Sequence, residues 1–210
     1  MMNRLKKLGF KWNHKRVHRV YCEIGLNIKI KPKKRLASSK LTTLVQTIKP
    51  NICWSIDFMS DALANNNRFR TFNVIDDFNR EALLIKPALS LTSDKVIKLL
   101  DRVAEIRGYP EKIRSDNGPE FISEIYKVWA KRHDVVLEYS RPGKPSDNAY
   151  IERFNKSYRE EILDIYLFDN LKEVNGITTN WINIYNYERP HESLGNHTPM
   201  DFANLIGCNN

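Results

Sequence analysis

Residues 113–121 read IRSDNGPEF, and this stretch marks the change from one structural element to the next. A brief apolar run ends at an acid, and the Asp, Asn, Gly and Pro that follow are the residues from which turns are made. Proline is also tolerated in the first turn of a helix, where its missing N–H needs no partner. The stretch therefore predicts a strand over 112–115, a turn that carries Asp116, and a helix from Pro119. The inward residues of that helix are predicted to be Phe121, Ile125, Val128 and Trp129.

The chain before this stretch has the alternating pattern of β-strands. Over residues 52–59, one face is apolar, and its residues are Ile52, Trp54, Ile56 and Phe58. Asp57 lies on the other face, because successive side chains of a strand point to opposite sides. Two more strand-like runs follow at 70–75 and 82–88, joined by a hairpin-type turn at 76–80. The pattern predicts three antiparallel strands, the first of which carries an acid.

Helical spacing and one more strand account for the remaining segments. Thr92 or Ser93 caps a helix that Gly108 and Pro110 close, and its predicted inner face is Val96, Leu99, Leu100, Val103 and Ile106. A strand at 135–139 precedes a helix that starts near Ser146, with a stripe of Ile151, Phe154, Tyr158 and Ile162. A final amphipathic helix covers 171–185. This order predicts an α/β fold with a mixed five-stranded sheet flanked by helices.

Composition sets the broad class of the protein. With 210 residues, 41% hydrophobic and 28% charged, the chain is long enough for one main domain and too polar for a membrane protein. No window approaches the roughly 20 apolar residues of a membrane span, and no secretory signal follows the basic N-terminus. We therefore expect a cytoplasmic protein that does not bind membranes. Cys22, Cys53 and Cys208 are far apart and odd in number, which indicates reduced structural thiols.

The formal charge of +9 is concentrated at the N-terminus. Residues 1–40 hold 13 Lys or Arg and one acid, or +12, so residues 41–210 hold 21 bases and 24 acids, or −3. Clustered positive charge is typical of proteins that bind DNA or RNA, although a solubilising disordered tail would have the same composition. Residues 14–26 have the spacing of a short basic helix that ends near Gly25. The run KIKPKKR at 29–35 suits a linker or a DNA-contacting strap, and we place the boundary to the main domain near 36–50.

Three acids have comparable positions in the predicted fold. Asp57 lies on the first strand, Asp116 at the exit of the fourth, and Glu152 near the start of a helix, and such positions can converge in an α/β sheet. Carboxylates brought together repel one another unless a cation neutralises them, and hard oxygen ligands suit Mg²⁺ or Mn²⁺. Two such ions about 3.5–4 Å apart promote in-line displacement at a phosphodiester. The chain has 25 acids, so the pattern alone leaves open which three of them meet.

Five strings of residues, in this order, carry a family resemblance: WSIDFMSDAL (54–63), FNVIDDFNRE (72–81), IRSDNGPEF (113–121), RPGKPSDNAYIERFN (141–155) and YNYERPHESLGNHTPMDFA (185–203). Together they resemble the DDE integrase-type catalytic region of bacterial IS3-family insertion-sequence transposases. Between Asp116 and Glu152 lie 35 residues, which is the spacing of the family's D,D(35)E pattern. The resemblance implies a ribonuclease H-like fold and a catalytic core over 50–205. It also implies that Asp57, Asp116 and Glu152 are catalytic and bind two Mg²⁺ or Mn²⁺ ions.

The same resemblance distinguishes Asp57 from the nearby acids Asp61, Asp76 and Asp77, and the last two have a simple explanation as turn residues. Upstream, residues 1–40 resemble the end of a helix-turn-helix-like DNA-binding segment with its linker. Only the end of that segment is matched, so we expect either a short copy of the transposase or an alternative start. An upstream helix-turn-helix product is then a further expected partner.

Basic and polar residues near the acids are candidates for contact with DNA. Asn148, Glu152, Lys156 and Arg159 follow one another at spacings of four, four and three, so they lie near one another on a helix. One interpretation is that Lys156 and Arg159 contact DNA phosphates. The other is that Glu152 and Lys156 form an ordinary surface ion pair. The residues expected to bind DNA are Lys156, Arg159, Asn148, Lys144 and Arg141 near the acids, and Lys15, Arg16, Arg19, Lys33, Lys34 and Arg35 in the basic segment.

Three functions are compatible with these observations. The first is a DNA transposase that nicks the terminal repeats of its element and transfers the 3′-OH to target DNA, as a homo-oligomer on DNA and associated with the nucleoid when bound. The second is a truncated, non-catalytic remnant that binds DNA or a full-length transposase. The third is a general nuclease of the ribonuclease H type, which would share the metal site but not the strings at 141–155 and 185–203.

Overall fold

A computed structural model describes residues 2–26, 47–141 and 145–207 of the chain. Its centre is a five-stranded sheet in the order β3-β2-β1-β4-β5. The strands are β1 (Cys53–Ala62), β2 (Arg68–Asp76), β3 (Ala82–Ala88), β4 (Lys112–Ser115) and β5 (Val136–Tyr139). β1 pairs with β2, and β2 with β3, in antiparallel ladders. β1 and β4 are parallel, as are β4 and β5. The mixed sheet and its three leading antiparallel strands are therefore confirmed.

Helices cover both faces of the sheet. In chain order they are α1 (Met2–Lys7), α2 (His14–Glu23), α3 (Ser93–Arg107), α4 (Pro119–Ile122), α5 (Glu124–Arg132), α6 (Ala149–Tyr158), α7 (Leu171–Tyr187) and α8 (Pro199–Gly207). A 3-10 turn over Pro145–Asn148 leads into α6, and a π-helical turn over Arg159–Leu163 extends it. Neither α1 nor α8 is predicted by the sequence patterns. The long helix at 171–185 is predicted correctly, and it runs two residues further, to Tyr187.

The two faces of β1 and β2 bury separate cores. Trp54 and Ile56 of β1 pack with α3 and α5, in one cluster with Val96, Leu100 and Trp129. Met59 of β1 and Phe69 and Ile75 of β2 pack on the other side against α6 and α7, in a cluster that includes Ile151, Phe154, Tyr158 and Trp181. Covering both faces puts β1 at the centre of the domain. The polar side chains of Ser55 and Asp57 on this strand therefore contact neighbouring elements.

The helix predicted to begin at Pro119 is two helices, and this changes which residues face inward. Ser123 has an extended backbone, with ψ of 148°, and it separates α4 from α5. The break shifts the phase of the apolar stripe, so Phe121, Tyr126, Trp129 and Ala130 are buried. The prediction that Ile125 and Val128 face inward is wrong, because both are exposed. Ile106, predicted on the inner face of α3, is also exposed, since it lies in the last turn beyond the core.

The N-terminal helices differ from the rest of the molecule because neither contains a buried residue. Lys7 of α1 donates to the carbonyl of Tyr187 at 2.8 Å and to Asp201 at 2.6 Å. Arg4 pairs with Glu188, so α1 lies at the C-terminal end of α7. The predicted linker or strap at 29–35 lies outside the described residues. Among the helices that the structure describes, none has both the length and the apolar character needed to cross a bilayer.

Candidate active site

Asp57 lies in the middle of β1, and two groups of the protein hold its carboxylate. The backbone N–H of Phe58 donates to Oδ1 at 2.8 Å, and the Asn155 amide donates to Oδ2, also at 2.8 Å. The pKa of Asp57 is raised from 3.8 to about 6, chiefly by burial and to a smaller extent by the nearby negative charges of Asp116 and Glu152. A raised pKa means that the folded chain does not fully compensate the negative charge of this carboxylate.

Asp116 follows the last residue of β4, in the turn that the sequence predicts. The N–H of Gly118 donates to its Oδ1 at 3.0 Å. The amide of Asn117 donates to the carbonyl of Ser140 at 2.9 Å, which ties the turn to the end of β5. A Cβ at position 118 would lie 3.0 Å from Asp116 Oδ1, closer than such contacts normally come. The turn therefore aims an exposed carboxylate, and its glycine leaves room for that carboxylate.

The sheet register brings Asp57 and Asp116 together. Ser55 of β1 lies opposite Arg114 of β4 in the parallel ladder, so continuing that register by two residues sets Asp116 beside Asp57. Neighbouring strands lie about 4.8 Å apart. Glu152 lies in the first turn of α6, near enough to affect Asp57 electrostatically, and a negative charge at this position also interacts favourably with the helix dipole. Burial raises the pKa of Glu152 as well. Asp116 and Glu152 therefore both act electrostatically on Asp57.

Two asparagines that the sequence reasoning did not assign support this cluster. Asn73 lies opposite Asp57 in the β1–β2 ladder, and its amide donates to Asn155 Oδ1 at 2.7 Å. The amide of Asn155 in turn donates to Asp57, so a chain of hydrogen bonds runs from β2 through α6 to β1. The sequence does carry a signal. Asn155 occupies an inward position of the α6 stripe, where an apolar residue is the rule, and a buried amide needs partners.

The donor set of the three acids suits a hard divalent cation. Asp57, Asp116 and Glu152 offer only carboxylate oxygens, which are the ligands that Mg²⁺ and Mn²⁺ prefer. The raised pKa of Asp57 is due in part to the other two acids, and a cation would remove that repulsion. As the side chains stand, no group of three His, Cys, Asp or Glu within 2–26, 47–141 and 145–207 is close enough to hold a metal ion. The residues thus fit such an ion in the chemistry of their donor atoms.

In a second acidic cluster on the same sheet, the protein supplies a donor to each carboxylate oxygen, and one of these donors is a cation. Asp76 and Asp77 are fully buried, which the interpretation as turn residues did not predict. The N–H groups of Asn51 and Phe78 donate to Asp76 at 2.8 and 2.9 Å. Ser55 donates to Asp77 at 2.6 Å, and Arg114 pairs with it at 2.8 Å. These acids join the end of β2 to β1 and β4, and their oxygens are already bonded.

Three residues in or beside α6 that were predicted to contact DNA differ in how exposed they are and in what they bond to. Lys156 is exposed, and its Nζ is 3.7 Å from Glu160. Arg159 lies in the π-helical turn and donates to the carbonyl of Ser60 at 2.9 Å. Asn148 is only 6% exposed, and its amide lies 3.5 Å from the carbonyl of Ile56. Asn148 therefore joins the start of α6 to β1, and in this conformation it has almost no surface to offer a phosphate.

The other predicted DNA contacts lie outside α6. Arg141 forms a bidentate pair with Asp147, at 2.8 and 2.9 Å. Lys15, Arg16 and Arg19 are exposed on α2, at the end of the molecule marked by the C-terminus of α7. Lys144, Lys33, Lys34 and Arg35 lie outside the described residues. Among the predicted contacts, Lys156 is therefore an exposed base on the same helix as Glu152.

Comparison with known sequences identifies the family to which this chain is similar. Two models described as integrase core domain match the chain at residues 48–145 and 133–199. The 31.7 kDa protein of insertion element IS407 from Burkholderia multivorans is 38% identical over 199 residues, which are 95% of this chain and 72% of the relative. The 39.2 kDa protein of insertion element IS476 from Xanthomonas euvesicatoria is 38% identical over 191 residues, or 91% of this chain. The chain spans 55% of the length of that second protein.

Comparison with solved structures identifies the fold. A chain of the simian T-cell lymphotropic virus intasome, solved with the PP2A regulatory subunit B56 gamma, matches with a TM-score of 0.62 at 16% identity, over 81% of this chain and 61% of that one. The HTLV-2 integrase catalytic core domain, solved with magnesium in a dimeric form, matches with a TM-score of 0.55 at 15% identity, over 74% of this chain and 98% of that one. The ribonuclease H-like fold expected from the sequence is confirmed.

Proposed function

We propose, since this chain belongs to the integrase core family found in insertion elements, that it is a DNA transposase. The reaction would begin with water nicking a phosphodiester at the element's terminal repeat, and the freed 3′-OH would then attack a phosphodiester of target DNA. Each step breaks one P–O bond and forms another, so no side-chain nucleophile is needed. The observation that carries this proposal is the convergence of Asp57, Asp116 and Glu152 at the edge where β1, β4 and α6 meet.

The three acids would hold the divalent ions of the reaction. Bound there, two Mg²⁺ or Mn²⁺ ions would activate the attacking oxygen and stabilise the charge on the leaving one. The HTLV-2 core, which shares the fold, was solved with magnesium, and this supports the choice of metal. The chain's own part is to hold the ligands in place. Asn155 and the Phe58 N–H fix Asp57, the Gly118 N–H fixes Asp116, and the first turn of α6 presents Glu152.

Lys and Arg side chains on both sides of the site would hold the DNA. We assign the phosphates nearest the acids to Lys156 and Arg159, and the terminal repeat to the basic segment that includes Lys15, Arg16 and Arg19. Arg159 would have to release the Ser60 carbonyl to make such a contact, whereas Lys156 is free to turn. Affinity that depends on phosphates falls steeply with salt. We further propose that the chain works as a homo-oligomer on DNA, since related cores were solved as dimers and trimers.

The test is nicking of a terminal-repeat duplex with Mg²⁺ or Mn²⁺ by the Asp116→Asn variant. Loss of at least about a hundredfold in rate, with unchanged DNA affinity, is the expected result, since Asp116 is exposed and bonds only to a turn N–H. Asp94→Asn, an exposed acid in the first turn of α3, is the matched control and should retain the wild-type rate. Equal nicking by wild type and Asp116→Asn would rule the mechanism out.

The same assay separates the two alternatives. A remnant would bind terminal-repeat DNA but leave it intact with either metal. A general nuclease of the ribonuclease H type would cleave an RNA–DNA hybrid without preference for the repeat. Asp57, Asp116 and Glu152 are all present and lie on or beside packed strands and a helix of the core, which favours catalysis over binding alone.

A further inference from the structure

The N-terminal helices form an open apolar groove that no part of the described chain fills. Leu5, Trp12, Val17, Val20, Tyr21 and Ile24 line about 320 Å³ between α1 and α2. Trp12 is 47% exposed and Ile24 is 62% exposed. An exposed apolar groove of this kind is a candidate interaction site. Because the lining is apolar, a phosphate backbone does not fit it, and an apolar side chain does.

The surroundings of this groove are strongly basic. Residues 2–26 contain seven Lys or Arg and one Glu, a formal charge of +6. Arg16 lines the groove itself, and it has no ion-pair partner among the residues that the structure describes. The expected occupant therefore combines exposed apolar side chains with acidic neighbours.

The loop between the π-helical turn and α7 has both properties. Ile165, Tyr166 and Leu167 are consecutive, and they are 64%, 46% and 77% exposed. A run of three exposed apolar residues is unfavourable unless it has a function. Residues 160–170 contain four acids and no base. The carboxylate of Asp164 approaches Arg159 only to 3.6 Å, and both Asp164 and Asp169 are exposed.

This loop is held in an ordered conformation at both ends, and we call its residues 164–169 the knob. Phe168 is buried against Phe69, with ring centroids 6.3 Å apart, and its carbonyl accepts from the Ala64 N–H at 2.8 Å. At the other end, the N–H of Tyr166 donates to the carbonyl of Ile162 at 3.1 Å. The three exposed side chains are therefore presented by an ordered turn, which reduces the entropy lost on binding.

The knob and the groove lie at opposite ends of α7. The knob ends two residues before Leu171, the first residue of α7. Lys7 of α1 bonds to Tyr187, the last residue of α7. A helix of 17 residues is about 25 Å long at 1.5 Å per residue. The knob of one molecule therefore does not reach its own groove, and the partner must be another molecule.

We propose that the acidic apolar knob, residues 164–169, docks into the basic apolar groove of a second copy of this chain. Such a contact joins two different surfaces, so it is head-to-tail and can continue to a third copy. The contact area is small, and the association should be correspondingly weak without DNA. The inference is independent of the proposed chemistry, because assembly is measured without metal or substrate.

The experiment is sedimentation velocity on nuclease-treated protein across the micromolar range, with two variants of exposed residues. Wild type should associate as its concentration rises, whereas Leu167→Asp alone and Ile24→Asp alone should each remain monomeric. An equimolar mixture of the two should form a dimer and nothing larger, because Leu167→Asp keeps an intact groove and Ile24→Asp keeps an intact knob. Leu89→Asp, at an exposed apolar residue outside both surfaces, should associate as wild type does.

Each other outcome counts against the proposal. A wild type that is monomeric throughout, or single variants that associate as wild type does, would overturn it. A mixture that stays monomeric while circular dichroism shows both variants folded would also overturn it. Assembly that appears only when DNA is added back would assign the association to DNA bridging instead. Higher salt should weaken the association, since the surfaces carry opposite charges.

Discussion

Two acidic clusters on one sheet differ in what balances their charge. Asp76 and Asp77 receive backbone N–H groups, the Ser55 hydroxyl and the Arg114 guanidinium. Asp57, Asp116 and Glu152 receive hydrogen bonds only from an amide and two backbone N–H groups, and none of the three has an ion-pair partner among the described residues. Both clusters contact β1, so burial in the sheet alone does not distinguish them.

The comparison teaches how to separate a structural acid from a functional one. Where the protein supplies a counter-charge to an acid, that acid joins structural elements, as Asp77 binds β4 through Arg114. A chain that gathers acids without a cation keeps them at an electrostatic cost, and an external cation removes that cost. The following predictions test this distinction, beginning with the largest expected effect.

Asp77→Ala should be the most destabilising of these changes, because it leaves Arg114 buried without its main partner. Breaking a buried pair by removing one side costs about 3–5 kcal/mol. The matched control is Glu138→Ala. Glu138 bonds the same guanidinium at 3.2 Å, but its side chain is 46% exposed, so the cost should be under about 1 kcal/mol. Denaturant unfolding of both variants measures the difference. Similar losses for the two would contradict the assignment of Asp77 as a structural counter-charge.

Asp76 should make stability depend on pH, since it is bonded to N–H groups but to no cation. Its pKa rises from 3.8 to about 6, chiefly through burial. The folded state therefore binds the proton more tightly than the unfolded state. The stability that protonation of Asp76 contributes is fully present below about pH 3.8 and is lost as the pH rises through about 6. The change should reach about 3 kcal/mol.

Asp76→Asn is the variant that isolates this effect. The free energy of unfolding should be measured from pH 4 to 7 for both proteins, and the difference between them taken at each pH. Other acids, including Asp57, are common to the two proteins, so their contributions cancel. As the pH falls, the free energy of unfolding of wild type should increase relative to that of Asp76→Asn. A difference that is constant over this range would show that Asp76 does not titrate there.

Divalent metal should stabilise the cluster of Asp57, Asp116 and Glu152 and leave the other one unaffected. At a concentration about ten times Kd, a ligand that binds only the folded state adds about 1.4 kcal/mol. Mg²⁺ or Mn²⁺ should therefore raise the Tm of wild type and of Glu138→Ala. Asp57→Asn should show no such rise, because it removes one of the three ligands. A metal-dependent rise that survives in Asp57→Asn would place the ion elsewhere.

Much of the fold follows from local pattern. The period-two run of β1, the turn after Ser115 and the helical stripe of α6 each report the element that they form, and the spacing of Asp116 and Glu152 indicates the family. The strand types and the sheet class could therefore be predicted from the sequence.

The details that could not be predicted depend on partners far away in the chain. Asp77 and Arg114 are 37 positions apart, and Asp57 and Asn155 are 98 apart. No local pattern could show that Asp77 is a buried counter-charge rather than a turn residue, or that Asn155 supports Asp57. The break at Ser123 is another such case, because an uninterrupted helix fits the same apolar residues equally well until α5 packs on the core.

Gly118→Ala should have the smallest effect on stability and should test how finely Asp116 is aimed. The φ of Gly118 is −57°, which any residue adopts, so the change introduces no backbone strain. The new Cβ would lie 3.0 Å from Asp116 Oδ1 and 3.5 Å from Phe121. Phe121 is fully buried, so the exposed carboxylate must move. We expect a loss under about 1 kcal/mol in stability, and nicking about tenfold to a hundredfold slower, since small misplacements near the reacting atoms are costly.

The matched control for this variant is Gly176→Ala, in the middle of α7. No atom lies within 4 Å of a Cβ added there, and glycine within a helix costs about 0.5–1 kcal/mol relative to alanine. This control should therefore be slightly more stable than wild type and should nick DNA at the same rate. Single-turnover nicking and denaturant unfolding, measured on both variants, separate an effect on the position of the Asp116 carboxylate from an effect on stability. A Gly118→Ala protein that nicks at the wild-type rate would mean that the turn tolerates a displaced Asp116. The Gly118 N–H and the space beside it would then not be what positions this carboxylate for catalysis.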